Sequence, residues 1–318
     1  MKTVILSHAD CDGLCSAAVA KAKFRDAEVF FTKPVSFLGD LQSTEADRIV
    51  IADIAITRKD AKSIADTLRK KSASAEILYF DHHIVPDVIT EKELSASVTY
   101  IHGKDVSASE LIYRHFQKEI PKERIWIALY GAIGDYEDDS PFVQERLANW
   151  DKRALYFEVS TLILGIKNKE FATYDAKRDI VETLAIGKNP SDIPGLVRSA
   201  KQAVTREFEL YEFVKKHAEK IGKIGVIINL PHFGFRGPAA LFAANVMKTD
   251  VGLMLNERGE HIDVTARKRN SSVELNRMME ECAEAVGGSG GGHASAAGAR
   301  IPKNALDKFM HLANKYIS

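Results

Sequence analysis

The chain has 318 residues, 45% hydrophobic and 28% charged, a composition typical of a globular protein with one large domain or two ordinary ones. Its 44 basic and 44 acidic side chains cancel, which excludes the strong overall positive charge of a general nucleic-acid binder; an anionic partner needs a local charge cluster. Three cysteines cannot form a disulfide framework, and no run reaches the roughly 18 apolar residues of a membrane span, so we expect a soluble, cytoplasmic protein without membrane contacts.

The first predicted strand, residues 3–6, leads into an acidic loop over residues 7–13, and helical signals follow. Asp10 and Asp12 stand two residues apart in this loop and can converge on one cation, with Gly13 supplying backbone freedom. One aspartate would be enough to cap the helix, so two of them indicate more than a cap. Strand, acidic loop and helix together predict the first half of a βαβ unit.

Two further predicted strands also end in acidic residues. Residues 48–52 form an apolar run before Asp53, and a predicted helix near residues 58–71 separates it from a second apolar run over residues 76–80. The second run leads directly into three polar side chains: Asp81, His82 and His83. In an open α/β sheet the carboxyl ends of the strands form the edge where ligands bind. Carboxylates and imidazoles gathered there predict a site for divalent metal ions.

A capping box at residues 107–110 opens the next predicted helix, and an apolar helix over residues 124–133 ends at Gly134-Asp135. Asp135 is the acid nearest the end of this helix, and we predict it to be a further metal ligand. Residues 137–139 are predicted to be a solvated acidic loop. His102 has no partner at ligand spacing and is predicted to be a solvated or core residue.

The pattern is helical from residue 141 to about residue 220, and its last part, from Leu196, predicts a connecting helix. The composition then changes, and an apolar run over residues 225–230 predicts a strand that begins a second domain at about Lys223. Residues 251–255 and 262–266 predict a strand pair, which a helix follows.

Basic residues end the second strand of that pair, at Arg267-Lys268-Arg269. The guanidinium groups of Arg267 and Arg269 can hold phosphate oxygens through paired hydrogen bonds. Since the whole chain carries no net charge, such a triplet is the kind of local cluster that an anionic ligand requires.

A glycine-rich run, residues 287–292, precedes His293 and a stretch of small residues. Glycines there allow backbone N–H groups to approach an oxyanion closely. A flexible linker is the alternative interpretation. Predicted structure on both sides of the run favours a binding loop within the second domain.

Taken together, these residues resemble the DHH phosphoesterase superfamily. Residues 7–13 are similar to its first motif, Asp53 to the acid of the second, Asp81-His82-His83 to the signature third, and Gly134-Asp135 to the fourth. Gly291-Gly292-His293 with Ala296-Ala297-Gly298 is similar to the glycine-rich motif of the DHH-associated C-terminal domain. Several branches of the superfamily place the first histidine four residues before the first aspartate. Here the gap is two, which is similar to the archaeal RecJ-like nucleases.

The resemblance implies an α/β fold of two domains with the active site in the cleft between them. The first, residues 1–190, would carry the metals on a mostly parallel sheet with helices on both faces. A helical linker over residues 191–222 would join it to a smaller α/β domain, residues 223–318, that binds substrate.

Two Mn²⁺ ions are implied, with Mg²⁺ or Co²⁺ as possible substitutes. The implied ligands of one ion are His8, Asp10 and Asp53. The implied ligands of the other are Asp12, Asp53, His82 and Asp135, so that Asp53 bridges the two. Asp81 would orient a histidine, and His83 would face the scissile phosphate. The implied substrate-binding residues are Arg267, Arg269, Gly291, Gly292 and His293.

The resulting hypothesis is a metal-dependent phosphodiesterase or exonuclease that acts on single-stranded nucleic acid or short oligonucleotides, with a repair or replication protein as a candidate partner. Two alternatives stay open. One is a phosphodiesterase for small nucleotides, such as cyclic dinucleotides or their linear products. The other is a non-catalytic replication or repair scaffold on the same fold, which the presence of all the acidic residues disfavours.

Overall fold

A computed structural model describes residues 1–231, 235–269 and 272–317, and the chain divides into two compact units, residues 1–203 and 204–318. Each unit is built on a β-sheet with packed helices. The predicted class, two α/β domains of which the second is smaller, is confirmed. The separate helical linker over residues 191–222 stays a prediction. Among the described residues, no helix has the length and apolar character needed to cross a membrane.

Unit 1 contains a five-stranded sheet in which every neighbouring pair is parallel, in the order β2-β1-β3-β4-β5. Its strands are β1 (Thr3–Ser7), β2 (Glu28–Phe31), β3 (Arg48–Ala52), β4 (Glu76–Asp81) and β5 (Thr99–His102). The predicted strands correspond to β1, β3 and β4 at the centre of the sheet. The two edge strands, β2 and β5, were not predicted.

Ten helices accompany this sheet or follow it. They are α1 (Cys11–Lys23), α2 (Phe37–Ser43), α3 (Ala61–Lys71), α4 (Glu91–Ser95), α5 (Ala108–Phe116), α6 (Ile125–Gly134), α7 (Pro141–Ala148), α8 (Lys152–Gly165), α9 (Tyr174–Ala185) and α10 (Leu196–His217). The last of them, α10, runs across the division between the units.

Helices cover both faces of the parallel sheet, as predicted. Successive residues of a strand point to opposite faces, so Ile5 packs into a core with α1, α5 and α6, whereas Val4 and Leu6 pack into a second core with α2 and α3. Because both faces are buried, the central strands are continuous apolar runs. Polar side chains are therefore gathered at the strand ends, and this concentrates the chemistry at one edge.

Unit 2 contains a six-stranded mixed sheet in the order β10-β11-β9-β8-β7-β6, in which β7 and β8 are parallel and the other neighbours antiparallel. The strands are β6 (Glu219–Ile221), β7 (Ile224–Ile228), β8 (Val251–Arg258), β9 (His261–Lys268), β10 (Ser289–Gly292) and β11 (Ala296–Pro302). The helices are α11 (Arg236–Met247), α12 (Leu275–Glu284) and α13 (Leu306–Tyr316).

Glycines let two helices approach opposite faces of this second sheet. A Cβ on Gly252 would lie 1.8 Å from the carbonyl oxygen of Ala240 in α11. A Cβ on Gly290, on the opposite face, would lie 2.3 Å from the carbonyl oxygen of Met279 in α12. The glycine-rich run thus forms strand β10 inside the domain, and the flexible-linker interpretation is wrong.

Candidate metal centre

The carboxyl ends of β1, β3 and β4 meet at one edge of the unit 1 sheet, because these three strands are adjacent and parallel. Each is followed by polar residues from a predicted motif. The loop after β1 carries His8 and Asp10, Asp53 follows β3, and Asp81 is the last residue of β4. The edge therefore gathers side chains that are far apart in sequence.

The loop after β1 is held in shape by its own hydrogen bonds. Asp10 caps α1 by accepting a hydrogen bond from the Gly13 backbone N–H at 3.1 Å, and the Ser7 hydroxyl donates to the Gly13 carbonyl at 2.7 Å. A Cβ on Gly13 would lie 2.2 Å from the His8 carbonyl oxygen. Close approach of the backbone, and not the backbone freedom expected from the sequence, is therefore the reason for glycine here.

Asp53 occupies the centre of the cluster in a strained conformation. Its φ of 57° lies in the left-handed region, which side-chain-bearing residues rarely adopt and which is common at functional sites. Oδ1 lies 3.3 Å from His82 Nε2, and Oδ2 lies 3.9 Å from His8 Nδ1. Within the described residues, Oδ2 is buried and has no hydrogen-bond partner. A buried carboxylate oxygen without a hydrogen-bond partner fits a ligand of a cation.

Asp12, on the first turn of α1, is buried and oriented by another helix. The backbone N–H groups of Ala108 and Ser109, at the start of α5, donate to its Oδ2 and Oδ1 at 2.7 and 3.1 Å. A Cβ on Gly131 in α6 would lie 2.4 Å from Asp12 Oδ1, so glycine is required there for α6 to pack against this carboxylate. Asp12 is recognisable from the sequence, whereas neither of these supports is.

Asp135 ends α6 and reaches the same cluster, with its Oδ2 3.3 Å from His82 Nε2. Glu137 is close as well, with Oε1 4.0 Å from His82 Nδ1. The expectation that residues 137–139 form a purely solvated loop is therefore wrong for Glu137, which is partly buried. The end of this acidic loop is held by the buried Glu110. Its Oε2 accepts a hydrogen bond from the hydroxyl of Ser140, where α7 begins.

Among the described residues, three groups have potential ligand atoms within 4.8 Å of one another and so can hold a metal ion. They are His8-Asp10-Asp53, Asp12-His82-Asp135 and Asp53-His82-His83. The structure thus brings together all six predicted metal ligands: Asp53 is common to the first and third groups, and His82 to the second and third. Their role as ligands stays a prediction.

The electrostatics of the cluster favour the binding of a cation. Burial, with the charges of Asp10 and Asp12, raises the pKa of Asp53 well above its usual range. Burial and the same two charges raise the pKa of Asp135 to about 8. Burial also acts to raise the pKa of Asp10, but the hydrogen bond from His8 Nδ1 at 2.7 Å, the charge of His8 and the hydrogen bond from the Gly13 N–H together outweigh it, and the pKa of Asp10 is lowered. Divalent cations would relieve the repulsion that raises the first two pKa values.

Asp81 and His83 form a hydrogen-bonded pair at the cluster, and His83 itself belongs to the third group of potential ligands. The Nδ1–H of His83 donates to Asp81 Oδ1 at 2.7 Å. Burial lowers the pKa of His83, but the charge of Asp81 and this hydrogen bond outweigh it, so the pKa is raised. Asp81 thereby fixes the ring orientation of His83. This geometry suits the predicted roles of the two residues, which stay predictions.

Two residues near the site were missed by the sequence analysis. His102 was expected to be a solvated or core residue, but its Nε2–H donates to the His83 carbonyl at 2.7 Å, and its Nδ1 lies 3.1 Å from Glu91. Lys177, in α9, donates from Nζ to the Ala9 carbonyl at 2.7 Å. His102 ends a parallel strand, a signal the sequence contains, whereas no local pattern marks Lys177.

The predicted substrate residues of unit 2 lie around the end of the hairpin β10–β11 and the neighbouring β9. Arg267 pairs with Ala296 across β9 and β11, and the His293 backbone N–H donates to the Ala296 carbonyl at 2.8 Å. Gly291 and Gly292 are the last residues of β10. Arg269 lies beyond β9, exposed, with its backbone N–H bonded to Asp250. Arg267 and the glycine-rich motif are thus adjacent, whereas Arg269 stands apart.

The sequence matches the DHH family, N-terminal domain, over residues 2–133 and the DHHA1 domain over residues 236–318. No curated protein matches it.

Similar solved structures share this fold at low sequence identity. One is a DHH domain described as a member of the s1p family of ribosomal proteins, with a TM-score of 0.73, 15% identity, and coverage of 99% of this chain and 86% of that one. Another is the pGpG-specific phosphodiesterase PggH from Vibrio cholerae, with a TM-score of 0.60, 14% identity, and coverage of 100% and 99%. RecJ in complex with Mn²⁺ from Thermus thermophilus has a TM-score of 0.68 and 16% identity; the match covers 99% of this chain and 52% of that RecJ.

Proposed function

The chain belongs to the DHH phosphoesterase superfamily, and on that premise we propose that it hydrolyses phosphodiester bonds of short or single-stranded nucleic acid from one end, using two divalent metal ions. The observation that carries the proposal is the series of three carboxylate–histidine groups that are linked through Asp53 and His82. A buried, strained aspartate with an unsatisfied oxygen has no evident structural purpose. A role as a ligand shared by two cations would account for this conformation and for the unsatisfied oxygen.

The side chains present suit Mn²⁺, with Mg²⁺ or Co²⁺ as substitutes, because oxygen ligands dominate and imidazole completes each set. His8, Asp10 and Asp53 would hold one ion, and Asp12, Asp53, His82 and Asp135 the other. Such ions supply Lewis acidity: they lower the pKa of water towards about 7 and neutralise charge on phosphate oxygens. Four carboxylates balance two divalent ions, which leaves the pair able to attract an anionic substrate.

The remaining residues of the centre orient groups and handle a proton. Asp81 accepts the Nδ1–H of His83, which leaves Nε2 as the ring nitrogen that can face a phosphate oxygen. Although burial acts to lower it, the pKa of His83 is raised by the charge of Asp81 and by this hydrogen bond, which favours a proton on Nε2; that N–H could donate a hydrogen bond to the phosphate or to the departing oxygen. His102 holds the backbone of His83 in place through its carbonyl.

Nucleic acid is the proposed substrate because Arg267 and the glycine-rich hairpin offer donors for a phosphate beyond the scissile bond. Among the structural relatives, RecJ is described as an exonuclease and PggH as a pGpG-specific phosphodiesterase. The second description, from a protein matched over nearly its full length, supports the small-nucleotide alternative. The non-catalytic scaffold is disfavoured because the structure brings every predicted metal ligand into the cluster.

A product ladder tests the proposal. End-labelled RNA and DNA of graded length are incubated with Mn²⁺, and the products are resolved at single-nucleotide resolution. Stepwise shortening from one end is the expected result, and its loss with chelator would tie it to the metal. Hydrolysis confined to dinucleotides would support the small-nucleotide alternative instead. The absence of any cleavage, with the ligands intact, would favour a scaffold.

A further inference from the structure

Unit 2 carries a second group of basic side chains, separate from Arg267. Three arginines converge on the carboxylate of Asp263: Arg300 Nε lies 2.7 Å from its Oδ1, and Arg236 and Arg258 each lie 3.4 Å from its Oδ2. Arg300 lies in β11, Arg236 is the first residue of α11, and Arg258 is the last residue of β8. The hydrogen bond from Arg300 lowers the pKa of Asp263, so this carboxylate is ionised at neutral pH.

One carboxylate does not neutralise three guanidinium groups. The group of four side chains keeps two positive charges, and each guanidinium has five N–H donors against the two acceptor oxygens of Asp263. The side chains of Arg300 and Arg258 are 58% and 49% exposed, whereas Asp263 is 13% exposed. Asp263 therefore acts as a mostly buried anchor that orders the arginines, and within the described residues the exposed guanidinium groups of Arg300 and Arg258 have more N–H donors than Asp263 can accept.

The strand register places this group on the same face of the sheet as Arg267. Across neighbouring strands, one row of facing residues is Asn256, Asp263, Arg300 and Ser289. Arg267 belongs to a parallel row with Gly252 and Ala296. The two rows are four residues apart along β9, or about 13 Å at about 3.3 Å per residue. Since a phosphate oxygen accepts hydrogen bonds at about 2.9 Å, backbone positions this far apart suit two different phosphates.

Helix α11 packs on this face of the sheet, over β7, β8 and part of β9, but the strip between the two rows carries only small side chains on β9, β11 and β10. Thr265, Gly298 and Gly291 face each other there across β9, β11 and β10. A Cβ on Gly291 would meet no atom within 4 Å, so space exists above the strand. Helix α12 packs against the other face, where a Cβ on Gly290 would meet the Met279 carbonyl. A sugar or base can therefore lie over this strip while phosphates reach the arginines at its two ends.

We propose that Arg236, Arg258 and Arg300 form a second phosphate-binding subsite, which extends the binding surface beyond Arg267 and selects a polynucleotide over a mononucleotide or dinucleotide. The inference rests on the proposed function, because it names the substrate class for the same enzyme. The ligand is recognised by its phosphodiester backbone, which RNA and DNA share.

The test is a length series with the full chain. Fluorescent oligonucleotides of two and twelve nucleotides, as RNA and as DNA, are titrated in chelator, so that anisotropy reports binding without cleavage. Arg300→Gln and Arg258→Gln should each weaken binding of the twelve-nucleotide strands by about tenfold, as expected for a lost charged hydrogen bond. Each should reduce the slope of log Kd against log salt by about 0.7 per phosphate contact. Binding of the dinucleotides should stay within about twofold of the parent protein.

Arg277→Gln is the matched control. It removes the same charge from the same unit, but Arg277 is exposed on α12, which packs against the opposite face, and we expect neither change. Equal losses for long and short strands, or losses no larger than those of the control, would overturn the proposal. A loss confined to RNA or to DNA would do so as well, because it would assign the arginines to the sugar or base.

Hydrolysis of a small aryl phosphodiester with Mn²⁺ separates this inference from the proposed function. If that substrate is cleaved while Arg300→Gln binds every strand normally, the subsite is wrong and the catalytic proposal stands. If length-dependent binding is lost as expected but the parent protein cleaves nothing, the subsite stands and the catalytic proposal is wrong.

Discussion

Oδ1 of Asp53 and Nε2 of His82 lie 3.3 Å apart at the ends of adjacent strands, and both side chains are 3% exposed. Asp53 Oδ2 lies 3.9 Å from Nδ1 of His8. His8 belongs to the loop after β1, the other strand adjacent to β3. Asp53 is the ligand predicted for both ions, and the first prediction concerns it.

Asp53→Asn should abolish turnover and leave the fold intact. An amide has one oxygen and no charge, so it could not serve as a ligand to two cations, and nucleophile activation and charge neutralisation would be lost together. Removing one electrostatic group from an active site commonly costs about 10²–10³ in rate, and a larger loss is expected where two ions depend on the group. The measurement is kcat with Mn²⁺, with circular dichroism to check the fold. A folded variant that keeps more than about a tenth of the parent rate would show that Asp53 is not the bridge.

His8→Ala is the comparison within the same cluster. His8 already donates a hydrogen bond to Asp10, so its ring can stabilise that carboxylate without touching a metal ion. We therefore expect a smaller loss of kcat than for Asp53→Asn. A loss as large as that of Asp53→Asn would make His8 a ligand of equal importance.

Metal-free protein should lose stability between pH 6.5 and pH 8. Burial and neighbouring carboxylates raise the pKa of Asp135 to about 8 and that of Asp53 well above its usual range, whereas in the unfolded chain both lie near 4. In this window the folded state binds more protons, so the free energy of unfolding falls as pH rises. Burial lowers the pKa of His82. This shift makes the free energy of unfolding rise with pH, but only at lower pH.

Addition of Mn²⁺ should reverse that loss. Ions bind the deprotonated carboxylates of the folded state, and at about a hundred times Kd they add about 2.7 kcal/mol to the free energy of unfolding. Thermal unfolding followed in chelator and in Mn²⁺ should show a gain in Tm of about 5 °C or more at pH 8 and a smaller gain at pH 6.5. An equal gain at both pH values would argue against binding at these carboxylates.

The centre of this site could be predicted because its residues follow long apolar strands. Two fully buried faces make β1, β3 and β4 continuous runs, so each polar residue that ends one is conspicuous. Strands β2 and β5 were missed because they are short edge strands with exposed positions. Missing β5 also concealed His102, the residue that ends it. Long-range contacts, such as that of Lys177 with Ala9, arise from helix packing and leave no trace in local sequence.

Gly13→Ala should damage the loop after β1. The added Cβ would lie 2.2 Å from the His8 carbonyl oxygen, and both partners are constrained, so the loop must shift and carry His8 and Asp10 with it. We expect a fall in kcat of at least about tenfold and a loss of stability of about 1–3 kcal/mol, typical of overpacking. Gly39→Ala in α2 is the control, because its Cβ would meet no atom within 4 Å; that variant should be neutral or slightly more stable. Similar behaviour of the two variants would contradict the steric argument.

His102→Ala should lower kcat and leave substrate binding unchanged. The ring holds the His83 carbonyl and contacts Glu91, so its removal frees the backbone that orients His83. Loss of one hydrogen bond, about 0.5–1.5 kcal/mol, corresponds to a fall in kcat of about two- to tenfold with KM nearly constant. His311→Ala, an exposed histidine of α13, is the control and should change neither. A rise in KM without a fall in kcat would place His102 in substrate binding.

Arg267→Ala should slow the hydrolysis of long substrates much more than that of short ones. Arg267 faces Ala296 beside the glycine-rich hairpin and is remote in sequence from every predicted metal ligand, so we expect it to hold a phosphate beyond the scissile bond. Such remote binding can still serve the transition state by fixing the reacting phosphate in place. For an oligonucleotide, kcat/KM should fall by about one to two decades, equivalent to the roughly 1.5–3 kcal/mol of a charged hydrogen bond. A small aryl phosphodiester, which has no second phosphate, should be hydrolysed almost as before. The deciding measurement is the ratio of the two losses in one variant, because misfolding would lower both equally. Equal losses in a variant that keeps its Tm would place Arg267 in the catalytic centre.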